Sequence, residues 1–182
     1  MISLKRRWRR LEAWLAVHLS GRAGARGVMV AVALFALVGV VFLSGLKAAQ
    51  DIFIDAAEAY AWGQRFLGGY GRHPPLTGWI AGTWYSVFPA ADWASYALSR
   101  VMTFVTMAAI YFITRRVAGP RRAAFVVLVM MFYPLFATKG ERFNNYQVLL
   151  AMLPLLVLAF LNSYQKRSAL SGAVLGLSLI HI

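Results

Sequence analysis

The sequence lacks cysteine and has few acidic residues, and each of these absences excludes a class of protein. Without cysteine, the 182-residue chain can form neither a disulfide framework nor a cysteine-ligated metal site. Only 6 aspartates and glutamates stand against 19 lysines and arginines, which gives a formal net charge of +13. Because 60% of the residues are hydrophobic, the composition favours a membrane protein. The excess positive charge then fits either nucleic acid or anionic lipid as a partner.

Long hydrophobic runs support the membrane class. The run VMVAVALFALVGVVFLSGL, residues 28–46, has 19 residues and no charge, close to the roughly 20 residues that cross a bilayer as a helix. Later runs contain single prolines, which membrane helices tolerate where neighbouring groups satisfy the freed carbonyl. We therefore predict an all-α, polytopic transmembrane helix bundle. Its spans are predicted at about 28–46, 94–114, 123–138, 146–164 and from 168 through 176 onward.

Basic residues alternate along the chain between the predicted spans. Seven lie in segment 1–26, four in 115–122 and two at 166–167, whereas five of the acids lie in loops 47–93 and 139–145. Short cytoplasmic loops carry an excess of lysine and arginine, so this pattern predicts a cytoplasmic N-terminus. The two acidic loops are then extracytoplasmic.

The N-terminal segment 1–26 accounts for much of the remaining charge. In KRRWRRLEAWLAVHL, apolar or amphipathic side chains recur at helical spacing at Trp8, Leu11, Trp14, Leu15 and His18. An amphipathic helix on the inner leaflet explains this pattern better than a nucleic-acid site. We therefore expect membrane lipids as partners and no nucleic acid.

The outer loop 47–93 is too long for a simple connector and is rich in aromatic residues, so we predict that it is structured. The stretch IDAAEAYAWGQRFLGG predicts a helix with Asp55, Glu58 and Trp62 on one face, and PPLTGWIAGTWYSVFP predicts a second helix. Their tryptophans and tyrosines suggest two juxtamembrane helices. Between them, GYGRHPPLTGW, residues 69–79, forms a stiff corner, because proline restricts its own φ and the residue before it.

This corner carries groups that bind phosphate oxygens. Arg72 and His73 lie just before the predicted helix, and a helix N-terminus favours anions. Asp55 and Glu58 lie on the neighbouring helix. Carboxylates beside a cationic corner at a membrane surface indicate group transfer from a lipid phosphate.

Each of these features also has a plainer interpretation. Asp55 and Glu58 fit solvated acids on an exposed helix face, and His73 fits a turn residue bonded to a backbone carbonyl. The tryptophans and tyrosines fit a membrane belt as well as a sugar-binding platform. Arg100, inside a predicted span, fits either a side chain that reaches the outer surface or a buried functional charge. Spacing alone leaves these alternatives open.

The stretch EAYAWGQRFLGGYGRHPPLTGWI, residues 58–80, resembles the first extracytoplasmic loop of the GT-C glycosyltransferases. The similarity is to the dolichyl-phosphate-mannose protein mannosyltransferase and aminoarabinose transferase type, and within it to bacterial lipopolysaccharide-core galacturonosyltransferases. That family reads approximately Asp-Glu-Ala-Tyr-Tyr-Trp, then Gly-Tyr, then His-Pro-Pro-Leu and an aromatic residue. The residues of this chain that fit are Glu58, Ala59, Tyr60, Trp62, Gly69, Tyr70, His73, Pro74, Pro75, Leu76 and Trp79.

The resemblance implies a multi-pass enzyme of the bacterial plasma (inner) membrane. It would transfer a sugar, with inversion, from a polyprenyl-phosphate-linked donor to an acceptor at the extracytoplasmic face. The expected acceptor is lipid A or lipopolysaccharide, another glycan, or a protein. An acid of the first loop, Asp55 or Glu58, would serve as the catalytic base. The cations expected near the donor phosphate are Arg72, His73, Lys139 and Arg142.

Two departures from the family pattern affect the candidate site. Ala57 precedes Glu58 where the family has an aspartate, and the nearest aspartate is Asp55, so the choice of base stays open. At the start of the fourth span, where many relatives carry an acid, this chain has ERFNNYQ. Asn144 and Asn145 can bind sugar hydroxyls but cannot act as bases. We predict no cofactor and no metal ligands, and leave a divalent metal open.

The sequence divides into three parts. Residues 1–26 form the basic amphipathic segment and 27–176 a partial GT-C transmembrane domain. Residues 177–182, LSLIHI, match the translated end of a common sequencing adapter. We therefore expect the reading frame to be cut there and the fragment to be inactive alone.

Two rival functions are a transporter or channel subunit and a small membrane scaffold. A transporter predicts paired charges inside the spans and internal repeats, whereas this sequence has one intramembrane charge, Arg100, and no repeat. A scaffold leaves the structured outer corner unexplained.

Overall fold

The protein is an all-α membrane helix bundle, which confirms the predicted fold class. The computed structural model describes residues 6–7, 9–10, 13–14, 21–49, 51–71, 73–137 and 142–180. Most of the amphipathic N-terminal stretch, including Trp8, Leu11, Leu15 and His18, lies outside these residues. The helices are α1 (Gly21–Leu46), α2 (Ile54–Gly63), α3 (Leu76–Tyr85), α4 (Asp92–Ala118), α5 (Pro120–Phe132), α6 (Pro134–Ala137), α7 (Asn145–Lys166) and α8 (Ala169–Ile180).

Within the described ranges, three helices are long and apolar enough to cross a membrane: α1, α4 and α7. The segment 123–138, predicted as one span, instead forms α5 and the four-residue α6. The break falls at Tyr133, whose ψ of 129° is extended, because a following proline disfavours the helical conformation. Pro154, by contrast, lies inside the continuous helix α7.

Helix α4 is the centre of the bundle and packs against α1, α5 and α7. Its buried side chains include a row of small hydroxyl residues, and small side chains let helices approach closely in a membrane. Thr103 Oγ1 donates to the Ser99 carbonyl at 3.1 Å and Thr106 Oγ1 to the Met102 carbonyl at 2.8 Å. The two threonine hydroxyls are therefore satisfied within their own helix. The row consists of Ser95, Ser99, Thr103 and Thr106.

The buried apolar residues form two clusters. One joins α1, α4, α5 and α6 through Val32, Met107, Val127 and Phe136. The other joins α2, α3, α4 and α7 through Ala59, Ala81, Leu98, Phe143 and Val148. The second cluster anchors the outer loop to the membrane helices.

Arg100 is buried in the bundle and does not extend to the surface, so one of the two alternatives left open by the sequence is excluded. Its guanidinium donates to the carbonyls of Phe136 and Ala137, at 2.6 and 3.1 Å. These carbonyls lie at the end of α6. The last carbonyls of a helix have no hydrogen-bond donor within that helix. The guanidinium also lies over the Phe35 ring, 5.9 Å from its centroid, and against Gly39, where a Cβ would come within 2.7 Å of its Nε.

The basic residues between the spans gather at one end of the bundle. Arg115 donates to the Gly21 carbonyl at 3.0 Å, and Arg116 to Asn162 Oδ1 at 3.1 Å. These bonds join the start of α1, the end of α4 and the last turns of α7. The outer loop with α2 and α3 therefore lies at the opposite end.

Helices α2 and α3 touch through their backbones at Gly63 and Gly82. A Cβ on Gly63 would lie 2.5 Å from the Gly82 nitrogen, and a Cβ on Gly82 would lie 2.5 Å from the Gly63 carbonyl oxygen. Backbone atoms cannot move aside as a flexible side chain can. Both positions therefore require glycine.

We predict that Gly82→Ala destabilises the outer loop by about 1–3 kcal/mol, the usual cost of overpacking. The added methyl group would separate α2 from α3. Thermal unfolding in detergent measures the effect. Gly68→Ala is the matched control, since a Cβ at Gly68 meets nothing within 4 Å, and it should change stability by less than about 0.5 kcal/mol. Equal unfolding temperatures for the two variants would contradict the close crossing.

Candidate active site at one end of the bundle

The corner between α2 and α3 is a tight turn at Tyr70–His73. The Tyr70 and His73 backbones exchange two hydrogen bonds, at 3.0 and 3.1 Å. Gly71 has a φ of +61°, which favours glycine. Arg72 lies outside the described residues.

The Tyr70 side chain anchors this turn to both neighbouring helices. Its ring covers Gly78 so closely that a Cβ there would overlap the ring. Its hydroxyl donates to the Arg65 carbonyl and accepts from the Leu67 amide at 3.3 Å. Trp79 Nε1 also donates to the Leu67 carbonyl, at 2.9 Å. The glycines and aromatics of the motif thus build one rigid corner.

His73 is exposed but is held by contacts on two sides. Its ring lies 5.1 Å from the Trp62 ring, centroid to centroid, and Trp62 is itself stacked on Tyr70 at 5.4 Å. Asn145 Nδ2 contacts His73 Nδ1 from the start of α7. His73 therefore bridges the outer corner and the membrane bundle.

The two acids lie on α2, one helical turn apart. Asp55 is half-buried and Glu58 is exposed. Asn144, the N-cap of α7, accepts from the Gln147 amide at 3.0 Å through Oδ1. Its Nδ2 donates to Asp55 Oδ2 at 3.1 Å. A residue 89 positions away in sequence thus fixes one of the two acids.

One cleft of about 280 Å³ brings most of the predicted residues together. Its lining includes both acids and Asn144, which bonds to Asp55, and it lies between α2, the corner and the start of α7. Their catalytic and binding roles remain predictions. The polar and aromatic side chains concerned are Asp55, Glu58, Trp62, His73, Asn144 and Asn145.

The predicted cations are placed differently. Arg142 does not line the Asp55 cleft: its guanidinium carbon lies 3.8 Å from the centroid of the Phe53 ring. It lines a second pocket, of about 200 Å³, with Lys47 and Asp51. Lys139 lies outside the described residues.

The sequence analysis missed two polar residues of the cleft, Thr77 and Tyr146. Thr77 is buried and follows His73 by four residues, and Tyr146 follows the asparagine pair directly. Thr77 directly follows the His-Pro-Pro-Leu stretch, and that position could have indicated it. No sequence signal distinguishes Tyr146 from the other seven tyrosines.

Tyr85 lies outside this cleft and lines a separate pocket with Tyr60 and Asp92. Burial raises the pKa of the Tyr85 hydroxyl above its ordinary value, so this group remains protonated at neutral pH and serves in packing. Among the described residues, no group of three or more His, Asp or Glu side chains could hold a metal ion.

The fold and the cleft together define a class: a multi-pass membrane protein with two acids, a histidine and two asparagines at one end of its helix bundle. Residues 72–180 match the model of the dolichyl-phosphate-mannose-protein mannosyltransferase family. Because this match covers more than half of the chain, the protein belongs to that family, which is one of membrane glycosyltransferases with a GT-C-like fold. No curated protein and no solved structure matches the chain. The match includes His73, Asn144 and Asn145, whereas both acids precede it.

We predict that Tyr70→Phe loosens the corner, because the Leu67 amide loses its acceptor and the Arg65 carbonyl its donor. The expected loss of stability is about 1 kcal/mol. Hydrogen exchange of the backbone over residues 64–71 should become faster. Tyr164→Phe is the control, since Tyr164 is 67% exposed at the other end of the bundle. Unchanged exchange in Tyr70→Phe would show that the hydroxyl does not hold the corner.

Proposed function

We propose that this protein transfers a sugar from a polyprenyl-phosphate-linked donor to a hydroxyl group of a lipid or glycan acceptor at the extracytoplasmic face of the membrane. The observation that carries the proposal is the shared cleft of Asp55, Glu58, His73, Asn144 and Asn145 in a member of a membrane glycosyltransferase family. A solvated acid on an exposed helix face would have no bond to a distant helix, whereas Asp55 accepts from Asn144, the N-cap of α7. Two aromatic side chains, Trp62 of α2 and Tyr146 of α7, also line the cleft, and aromatic rings suit a sugar ring.

The reaction proceeds as a single displacement. The acceptor oxygen attacks the anomeric carbon, and the bond from that carbon to the phosphate oxygen breaks. The bonding electrons leave with the polyprenyl phosphate, and the anomeric configuration is inverted. One of the two acids takes the proton of the acceptor hydroxyl and later releases it to water. The products are the new glycoside and polyprenyl phosphate.

Cationic groups stabilise the charge that develops on the leaving phosphate. His73 lines the cleft, and Arg72 is the residue before it in the sequence. Arg142, in the adjacent pocket with Lys47, is close in sequence to Asn144 and lies at the same end of the bundle. We assign the donor phosphate to the side of the site where Arg142 lies, and Lys139, three residues earlier in the sequence, is a further candidate for it.

The acceptor we favour is lipid A or lipopolysaccharide, and the donor sugar a hexose or pentose derivative. The support is the resemblance of residues 58–80 to the galacturonosyl and aminoarabinose transferases. Such an acceptor is itself a membrane lipid, which fits a cleft at the end of a helix bundle.

The orientation we propose has the N-terminus in the cytoplasm of a bacterial inner membrane. The arginines that bond to Gly21 and Asn162 mark the basic end of the bundle, and the acids of α2 mark the opposite end. A cytoplasmic basic end follows from the positive-inside tendency of short loops.

We predict that substitution of the catalytic acid lowers sugar transfer by about 10²–10⁴-fold, the usual contribution of a general base. Cells that lack the gene would be complemented with the complete wild-type gene, Asp55→Asn or Glu58→Gln. Glycolipid mass spectrometry would measure the product at matched protein levels. Asp92→Asn is the control, because Asp92 lies outside the cleft at the start of α4. Full rescue by both cleft variants would reject the proposed chemistry.

We predict that the two ends of the bundle face opposite compartments. The chain has no cysteine, so single cysteines report their own position. Gly68→Cys, in the outer corner, should react with a membrane-impermeant maleimide in intact spheroplasts. Ser168→Cys, exposed between α7 and α8, should react only after permeabilisation. The opposite labelling pattern would reverse the orientation.

A further inference from the structure

The side-chain amide of Asn144 has its orientation set by its contacts. Oδ1 accepts from the Gln147 backbone N–H at 3.0 Å, as an N-cap oxygen does. A backbone N–H can only donate, so the atom that faces it has to be the oxygen. Nδ2 consequently faces the other way, and it donates to Asp55 Oδ2 at 3.1 Å.

Of the two acids in the cleft, only Asp55 is bonded to Asn144. Asp55 is half-buried on the first turn of α2, and the amide holds one of its two carboxylate oxygens. Glu58 is exposed, has one more rotatable bond, and has no hydrogen-bond partner among the residues that the structure describes. A base acts best when its lone pair is held at the proton that it removes. The geometry thus distinguishes Asp55 from Glu58 as candidate bases, whereas the sequence left the choice open.

We propose that Asn144 is a positioning residue for sugar transfer: its amide fixes Asp55 through Oδ2 and leaves Oδ1 to accept the proton of the acceptor hydroxyl. Asp55, rather than Glu58, is then the general base. This inference rests on the proposed function. It also gives a role to an asparagine at the place where the sequence departs from the family pattern.

Two substitutions separate positioning from helix capping. Asparagine, aspartate and serine cap a helix about equally well, so Asn144→Asp and Asn144→Ser both keep the oxygen that accepts from Gln147. Serine removes the donor to Asp55. Aspartate replaces the donor by a second carboxylate oxygen beside Asp55, and like charges at that distance repel each other. A capping role alone predicts that both variants behave as wild type.

The first measurement is the kinetics of sugar transfer by the complete protein in membranes. Misplacement of a reacting group by about 1 Å can lower turnover by about a hundredfold, so we expect a loss of that order in Asn144→Asp and a smaller one in Asn144→Ser. The donor KM should change little, because Asn144 acts through Asp55. Asn162→Asp is the matched control at the other end of the bundle, where Asn162 bonds to Arg116, and it should transfer at the wild-type rate.

The second measurement tests the contact without activity. Asn144→Asp should unfold at a lower temperature than Asn144→Ser, and addition of Asp55→Asn should reverse this difference, because an amide then faces a carboxylate again. If Asn144→Asp and Asn144→Ser unfold alike with or without Asp55→Asn, the contact is absent and the inference is overturned.

The outcomes distinguish this inference from the proposed function. If Asp55→Asn abolishes transfer while both Asn144 variants match wild type, the base stands and the positioning role is wrong. If Asp55→Asn transfers sugar at the wild-type rate, the base assignment is wrong and the inference fails with it. Loss of turnover in Asn144→Asp, greater than in Asn144→Ser and with an unchanged donor KM, supports both.

Discussion

Two adjacent asparagines at the start of α7 join the membrane bundle to the outer loop, and the candidate site depends on that joint. Asn144 bonds to Asp55 and Asn145 contacts His73, so consecutive residues reach two separate segments of the loop. They can do so because Asn144 is extended at the N-cap whereas Asn145 is already helical. Without this joint, the acids of α2 would face open water on a helix that packs chiefly on α3. The cleft is therefore a product of the contact between α7 and the loop.

Close packing within the outer loop holds α2, α3 and His73 in fixed positions relative to one another. Gly63 and Gly82 let α2 and α3 meet backbone to backbone, and Gly78 admits the ring of Tyr70. The stacked Trp62 then gives His73 a fixed wall. Each of these contacts joins residues of the chain itself. A site built from groups already in place loses less entropy in the reaction than one assembled by mobile side chains.

The membrane constrains the rest of the bundle in a different way. Lipid cannot satisfy polar backbone groups, so each break in a helix needs a protein partner. Arg100 supplies that partner at the end of α6, with two bonds from one guanidinium. Its burial is thus explained by the carbonyls at the end of α6, which need donors from outside that short helix. Arg100, a charge inside a membrane-spanning helix, therefore joins α4 to the end of α6.

The sequence by itself determined the all-α membrane class, the approximate positions of the long helices and the helical corner with its His-Pro-Pro motif. These follow from hydropathy and from proline and glycine, which act locally. It also named Asp55, Glu58, His73, Asn144 and Asn145 as candidates, through the motif and its departures. Only the tertiary structure decided which of them meet. The bond from Asn144 to Asp55, the position of Arg142 over Phe53 and the burial of Arg100 depend on how helices far apart in sequence pack, and no local pattern encodes that packing.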